Sequence, residues 1–136
     1  MGLERFIEAQ EQDYETALSE IKSGRKRSHW MWYIFPQLAA QGRSDIAKHY
    51  GIADLPEAEA YHADRILGRR LVEISNALLT IASSNATQVM GSPDDLKLRS
   101  SMTLFSMVKD ADPVFQAVLD KYYGGALDHA TVELLR

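Results

Sequence analysis

A chain of 136 residues with 46% hydrophobic and 25% charged side chains and a net charge of −4 has the make-up of one ordinary globular domain. At that length it buries roughly two thirds of the surface its unfolded form exposes, enough to hold a core without disulfides or a structural metal. It contains no cysteine, which excludes thiol nucleophiles, CxxC redox pairs, iron–sulfur clusters and zinc fingers, and its net acidity argues against nucleic acid as a partner of the whole surface.

The start, Met1-Gly2-Leu3-Glu4-Arg5-Phe6-Ile7-Glu8, sets charges among apolar residues and does not read as a signal peptide. The longest nearly uncharged run, His29 to Gln41, is too short to cross a bilayer. The expectation is a cytoplasmic protein with no membrane partner. Helical start and stop signals recur along the chain, and no segment alternates apolar and polar residues over a strand's length. The predicted fold is therefore all-α, a single compact multihelical domain over residues 1–136 with buried central helices.

In chain order, Leu3, Phe6, Ile7, Tyr14, Leu18 and Ile21 form an apolar stripe, with a break near Gln12-Asp13 where Asp13 could cap a second helix, and Gly24 as the stop. Ser28 is a candidate cap for a short buried helix, or alternatively a buried strand, that stops at Pro36. Ser44 can cap a helix through Tyr50, and Leu55-Pro56-Glu57 opens the next, which should end before Gly68. Leu71, Ile74, Leu78, Leu79 and Ile81 line a longer helix that fades at Ser83-Ser84-Asn85, followed by a short turn of helix closed by Gly91. Ser92-Pro93-Asp94-Asp95 is the clearest start in the chain and opens a helix to about Val108. Asp112-Pro113 opens another that stops at Gly124-Gly125, and Asp128 caps the last.

Two segments carry candidate chemistry. Residues 24–37 place three cations, one imidazole and four aromatic rings in fourteen residues, including both tryptophans. Cations beside flat rings suit a ligand with an anionic group and a π-face. Residues 92–105 offer a helix with Asp94 and Lys97 three apart, Asp95 and Arg99 four apart, and small Ser100, Ser101 and Thr103 that let neighbouring helices approach. In the functional reading the two segments face each other across a pocket for a small anionic metabolite of nucleotide or sugar-phosphate type. Arg25, Arg27 and Lys97 or Arg99 hold the anion, Trp30 or Trp32 stacks, Ser101 adds a hydroxyl, and His29 or Asp94 acts as acid or base if the ligand is hydrolysed. The plainer alternative is a non-enzymatic interaction or dimerisation module in which the aromatics are core and Asp94 and Asp95 merely begin a helix. RNA binding through the basic cluster at 22–27 is a third reading. His29, His49, His62 and His129 have no metal-ligand spacing, and there is no glycine-rich phosphate loop and no nucleophile elbow. Neither a metal nor a cofactor is expected, and whether the protein is an enzyme, and its oligomeric state, stay open.

The strings GRKRSHWMWYIFPQ and GSPDDLKLRSSMTLF resemble the signature stretches of DUF1810, a bacterial family of uncharacterised proteins grouped with an all-helical mycobacterial prototype. The resemblance runs from Leu3-Glu4-Arg5-Phe6 to Leu134-Leu135 and implies a single multihelical domain, with no established activity and no catalytic residues to transfer. Where members of that family carry a His-Pro pair before the Leu-Gly step, this chain has Asp64-Arg65-Ile66. Some members bear the name calpastatin, but calpain-inhibitory segments are disordered and poor in large apolar residues, unlike a chain with 46% hydrophobic residues in periodic segments.

Overall fold

The computed structural model describes residues 2–136, and these contain nine α-helices and one 3₁₀ turn. The helices are α1 Glu4–Lys22, α2 Met31–Ile34, α3 Asp45–His49, α4 Leu55–Ala63, α5 Leu67–Thr80, α6 Ala86–Met90, α7 Asp94–Ser106, α8 Val114–Tyr123 and α9 His129–Leu134, with the 3₁₀ turn at Ala39–Gln41. The protein is all-α, as the periodicity and capping signals predicted. The only strand-like pairing among the described residues is an isolated parallel bridge between Leu38 and Ile52.

The longest helices meet through their apolar stripes. The α1 stripe of Phe6, Tyr14, Ala17, Leu18 and Ile21 packs on α5 and α2, while α5 in turn packs on α8. Helix α7 touches α4, α6, α8 and α9, and it buries Leu98 and every residue from Ser100 to Phe105. Its small Ser100, Ser101 and Thr103 keep its girth low on the sides where other helices press in, which is the geometric reason it can be central. With Ser101 the exception, the buried polar side chains of this core are tied off. Gln10 on α1 is 2% exposed and donates to the Tyr33 carbonyl at 2.8 Å and the Tyr61 hydroxyl at 2.9 Å, joining α1 to α2 and α4.

Four helices start where the sequence places a capping side chain: Ser44, Asp54, Asn85 and Asp128 each accept the N–H of the residue three further on. Gly124, at φ +62°, ends α8 in the left-handed conformation that suits glycine. Three local readings are corrected. Helix α1 runs unbroken through Gln12-Asp13, because the Asp13 carboxylate accepts the Tyr33 hydroxyl across the helix pair instead of turning back on its own backbone. Ser28 does not cap α2; its hydroxyl goes to Glu20, and the helix begins later, after Trp30. Ser92 does not cap α7, whose boundary residue is Pro93, and α7 ends at Ser106, short of Val108.

Between Gln37 and Ile52 the chain makes an excursion away from the core and returns. Its two ends are joined by Ala39 N–H to Ile52 O at 2.8 Å and Ile52 N–H to Gln37 O at 2.9 Å. Arg5 on α1 pins the returning end, donating to the His49 carbonyl at 2.7 Å and the Gly51 carbonyl at 2.9 Å.

The Asp64-Arg65-Ile66 stretch enters α5 through Asp64, whose carboxylate accepts the N–H groups of Ile66 and Leu67 at 2.9 Å each. Close behind, Gly68 presses on the end of α4: a Cβ there would stand 2.0 Å from the His62 carbonyl oxygen. Backbone cannot yield as a side-chain tip can, so Gly68→Ala should destabilise the protein by about 2 kcal/mol or more. Urea denaturation of the two proteins measures that difference.

Candidate functional site

The site grows from one buried carboxylate. Glu20, in the last turn of α1, is 9% exposed. It accepts the Arg27 N–H at 2.7 Å, the Ser28 N–H at 2.9 Å, the Ser28 hydroxyl at 2.5 Å and the Trp30 indole N–H at 2.9 Å. Burial alone would raise its pKa, but these donors outweigh it and hold the carboxyl at about 2. The basic, aromatic turn after α1 is thereby folded around a charge whose lone pairs the turn itself occupies with uncharged donors.

That folding decides where each aromatic and cation goes. Trp30 is held with its N–H on Glu20, 1% exposed. Lys26 sits over the Trp30 ring at 4.9 Å and reaches Asp94, the first residue of α7, at 2.9 Å. Asp94 has a second, longer contact of 3.7 Å with Lys97. Lys97 lies 5.8 Å from the centre of the half-buried Trp32 ring. The segments 25–37 and 94–103 thus meet, through Lys26 with Asp94 and Trp32 with Lys97.

Beside this junction lies an open cleft of about 520 Å³, with Gln37, Gln41, Arg43 and Ser44 on the excursion side and Pro93, Leu96, Lys97 and Ser100 on the α7 side. Its volume falls in the range of small-molecule sites. No carboxylate or imidazole is among the residues that line it. Behind its floor stands Asp128, which accepts the Ser100 hydroxyl at 3.1 Å, the Gln41 amide at 3.1 Å and the Thr131 hydroxyl at 2.5 Å. Burial works to raise the Asp128 pKa, but bonds from Thr131, Gln41 and Ser100 bring it below the usual carboxylate value. Gln41 and Ser100 are thus oriented from behind, the amide oxygen of Gln41 lying 3.3 Å from the Thr131 hydroxyl oxygen.

Of the residues singled out by sequence, Lys97 lines the cleft, Trp32 stands beside it, and Asp94 is held between Lys26 and Lys97. Arg25, Arg27 and His29 are exposed on the turn and line none of the described cavities. Trp30 has no free ring face in the cleft, being core. Arg99 points away, donating to the Ala126 and Leu127 carbonyls at 3.1 and 2.7 Å. Ser101 is fully buried, and its hydroxyl has no hydrogen-bond partner. Sequence reading missed Glu20, whose partners lie up to ten positions away, and Gln37, Gln41 and Arg43, which carry no local pattern. Ser44 and Asp128 were legible only as caps, and both caps are present.

The model of the family described as "Protein of unknown function (DUF1810)" matches residues 1–135. Among solved structures, the chain is similar to the conserved hypothetical protein Rv1873 from Mycobacterium tuberculosis, with 47% identity, a TM-score of 0.95, and coverage of 98% of this chain and 95% of that one. Comparison with proteins of curated function finds no match. No helix among the described residues is long and apolar enough to cross a membrane.

Glu20 generates a pH-dependent prediction. Its folded pKa, about 2, lies below the ordinary carboxyl value of 4.5. Its contribution is therefore complete above that ordinary value and is lost as pH falls through the folded one. Urea denaturation at successive pH values should show the wild-type protein losing stability across this window. Glu20→Gln should lower stability at neutral pH by about 3 kcal/mol, since it turns an acceptor toward the donors of the turn into a competing donor, and should flatten the acid dependence.

Proposed function

Because the chain belongs to the DUF1810 family of proteins of unknown function, a reading of its activity has to come from the site itself, and we propose that the cleft beside α7 binds a small anionic metabolite, of sugar-phosphate or nucleotide type. The observation that carries this reading is the make-up of the cleft: two cations, Lys97 and Arg43, with hydroxyls and amides, and no lining carboxylate. Lys26 neutralises Asp94 at 2.9 Å, while Lys97 stands 3.7 Å from it and keeps a 30% exposed side chain. The Lys97 charge is therefore left for a ligand. Arg43 is exposed on the opposite wall, and a guanidinium can take a phosphate or carboxylate in bidentate fashion. Gln37, Gln41, Ser44 and Ser100 complement sugar-like hydroxyls better than a bare aromatic ring, which favours the sugar-phosphate end of the class.

The reading is one of binding. Hydrolysis would need an acid or base at the ligand, and His29 and Asp94 are not among the cleft-lining residues. The interaction-module alternative draws on the burial of Trp30, Met31, Tyr33, Ile34 and Phe35 as core, but that burial leaves the adjoining cleft unexplained.

Calorimetric titration with ribose 5-phosphate and adenosine 5′-monophosphate tests the reading. Millimolar or tighter binding is expected, with Lys97→Met weakening it by roughly tenfold or more through loss of one charge-assisted contact. No binding at millimolar concentration, or binding indifferent to Lys97→Met and Arg43→Met, overturns it.

A further inference from the structure

The cleft has a second space beside it. A narrow slot of about 10 Å³ adjoins it, sharing Gln37, Ala47 and Lys97 as common walls. The remaining walls of the slot are Met31, Trp32, Phe35 and Tyr50, three aromatic rings and a thioether. Polar wall and apolar wall meet at Lys97, whose ammonium faces the Trp32 ring at 5.8 Å on one side and borders the open cleft on the other. A space of this size accommodates about one water molecule, and walls of this kind give such a water few partners.

From this juxtaposition we infer that the slot is an apolar subsite, and that the ligand is a small anion, a phosphate monoester, carrying a short unbranched alkyl group, an ethyl at most, with its methylene at the mouth beside Lys97 and its terminal methyl filling the slot. The inference rests on the anion-binding reading above and narrows it. The phosphate lies in the open cleft between Lys97 and Arg43, and the alkyl group turns past Lys97 into the slot. A nucleobase is far too large for this space, so any base must stay in the open cleft and gains nothing from the slot. Size selection follows from position: Met31 and Phe35 are 2% and 1% exposed and belong to the packed core, so the inner end cannot retreat. Trp32, half-buried on the four-residue α2, is the wall whose removal would lengthen the slot.

The test compares inorganic phosphate with methyl, ethyl, propyl and butyl phosphate, all carrying the same anionic head, by calorimetry and by quenching of tryptophan fluorescence. Each methylene buried up to ethyl should tighten binding roughly three- to fourfold, and propyl and butyl should gain nothing further. Trp32→Leu should move the optimum to a longer chain, and Met31→Phe should cancel the gain of methyl and ethyl phosphate over inorganic phosphate. Circular dichroism checks that each variant is folded; if Met31→Phe does not fold, the shift in Trp32→Leu decides alone. If inorganic phosphate binds and the alkyl esters bind no tighter, or if the optimum does not move in Trp32→Leu, the subsite is overturned and the anion site stands. If neither inorganic phosphate nor any ester binds, the anion reading itself falls.

Discussion

The structure depends on a charge placed where charges are expensive. An ionised carboxylate removed from water destabilises a fold by several kcal/mol unless nearly all of its lone pairs are occupied. Glu20 meets that condition with two backbone N–H groups, one hydroxyl and one indole N–H, all from residues 27–30. The turn of chain richest in cations and rings is therefore fixed by an acid that belongs to the preceding helix.

The contacts between this turn and α7 follow from this. With Trp30 drawn inward, the half-turn that follows carries Trp32 to the edge of the core, and Lys26 is left directed at the first carboxylate of α7. One lysine then neutralises Asp94 and the next along α7 remains a cation with a ring on one side and an open cleft on the other. Two lysines of the same formal charge have different duties because one is 7% exposed and closely paired, and the other is 30% exposed and loosely paired. Asp128 plays a parallel part behind the cleft, accepting from Ser100 and Gln41 and so fixing the position of both side chains beside it.

Local signals made the helices legible. The Ser44 and Asp128 caps, the proline early in α4 and the glycine that ends α8 are statements about three or four consecutive residues, and a sequence displays such statements directly. The site is legible only in part. Lys97 stood out because it lies in an unusual string, but Arg43 and Gln41 reach the cleft through the return of the 37–52 excursion, a relation invisible to any window of helical length. Ser28 and Ser92 have the composition of caps and do not act as caps: the Ser28 hydroxyl is taken by Glu20, and the start of α7 is bounded by Pro93. Arg99 shows the same limit, since the carbonyls that claim it at Ala126 and Leu127 come from the turn after α8.

The excursion between Gln37 and Ile52 is joined at its base by two backbone hydrogen bonds and pinned by the Arg5 guanidinium. Backbone bonds are indifferent to side-chain identity, and Ser44, Asp45 and Ile46 within the excursion are exposed. The exposed tip of the excursion, Arg43 to Ile46, can thus be rewritten by substitution, or lengthened, with little effect on the helical core, while the α7 wall is constrained by the packing on its back. The fold separates a rim free to diverge from a wall that must persist, so proteins sharing this architecture can vary the surface beside α7 without a change of scaffold.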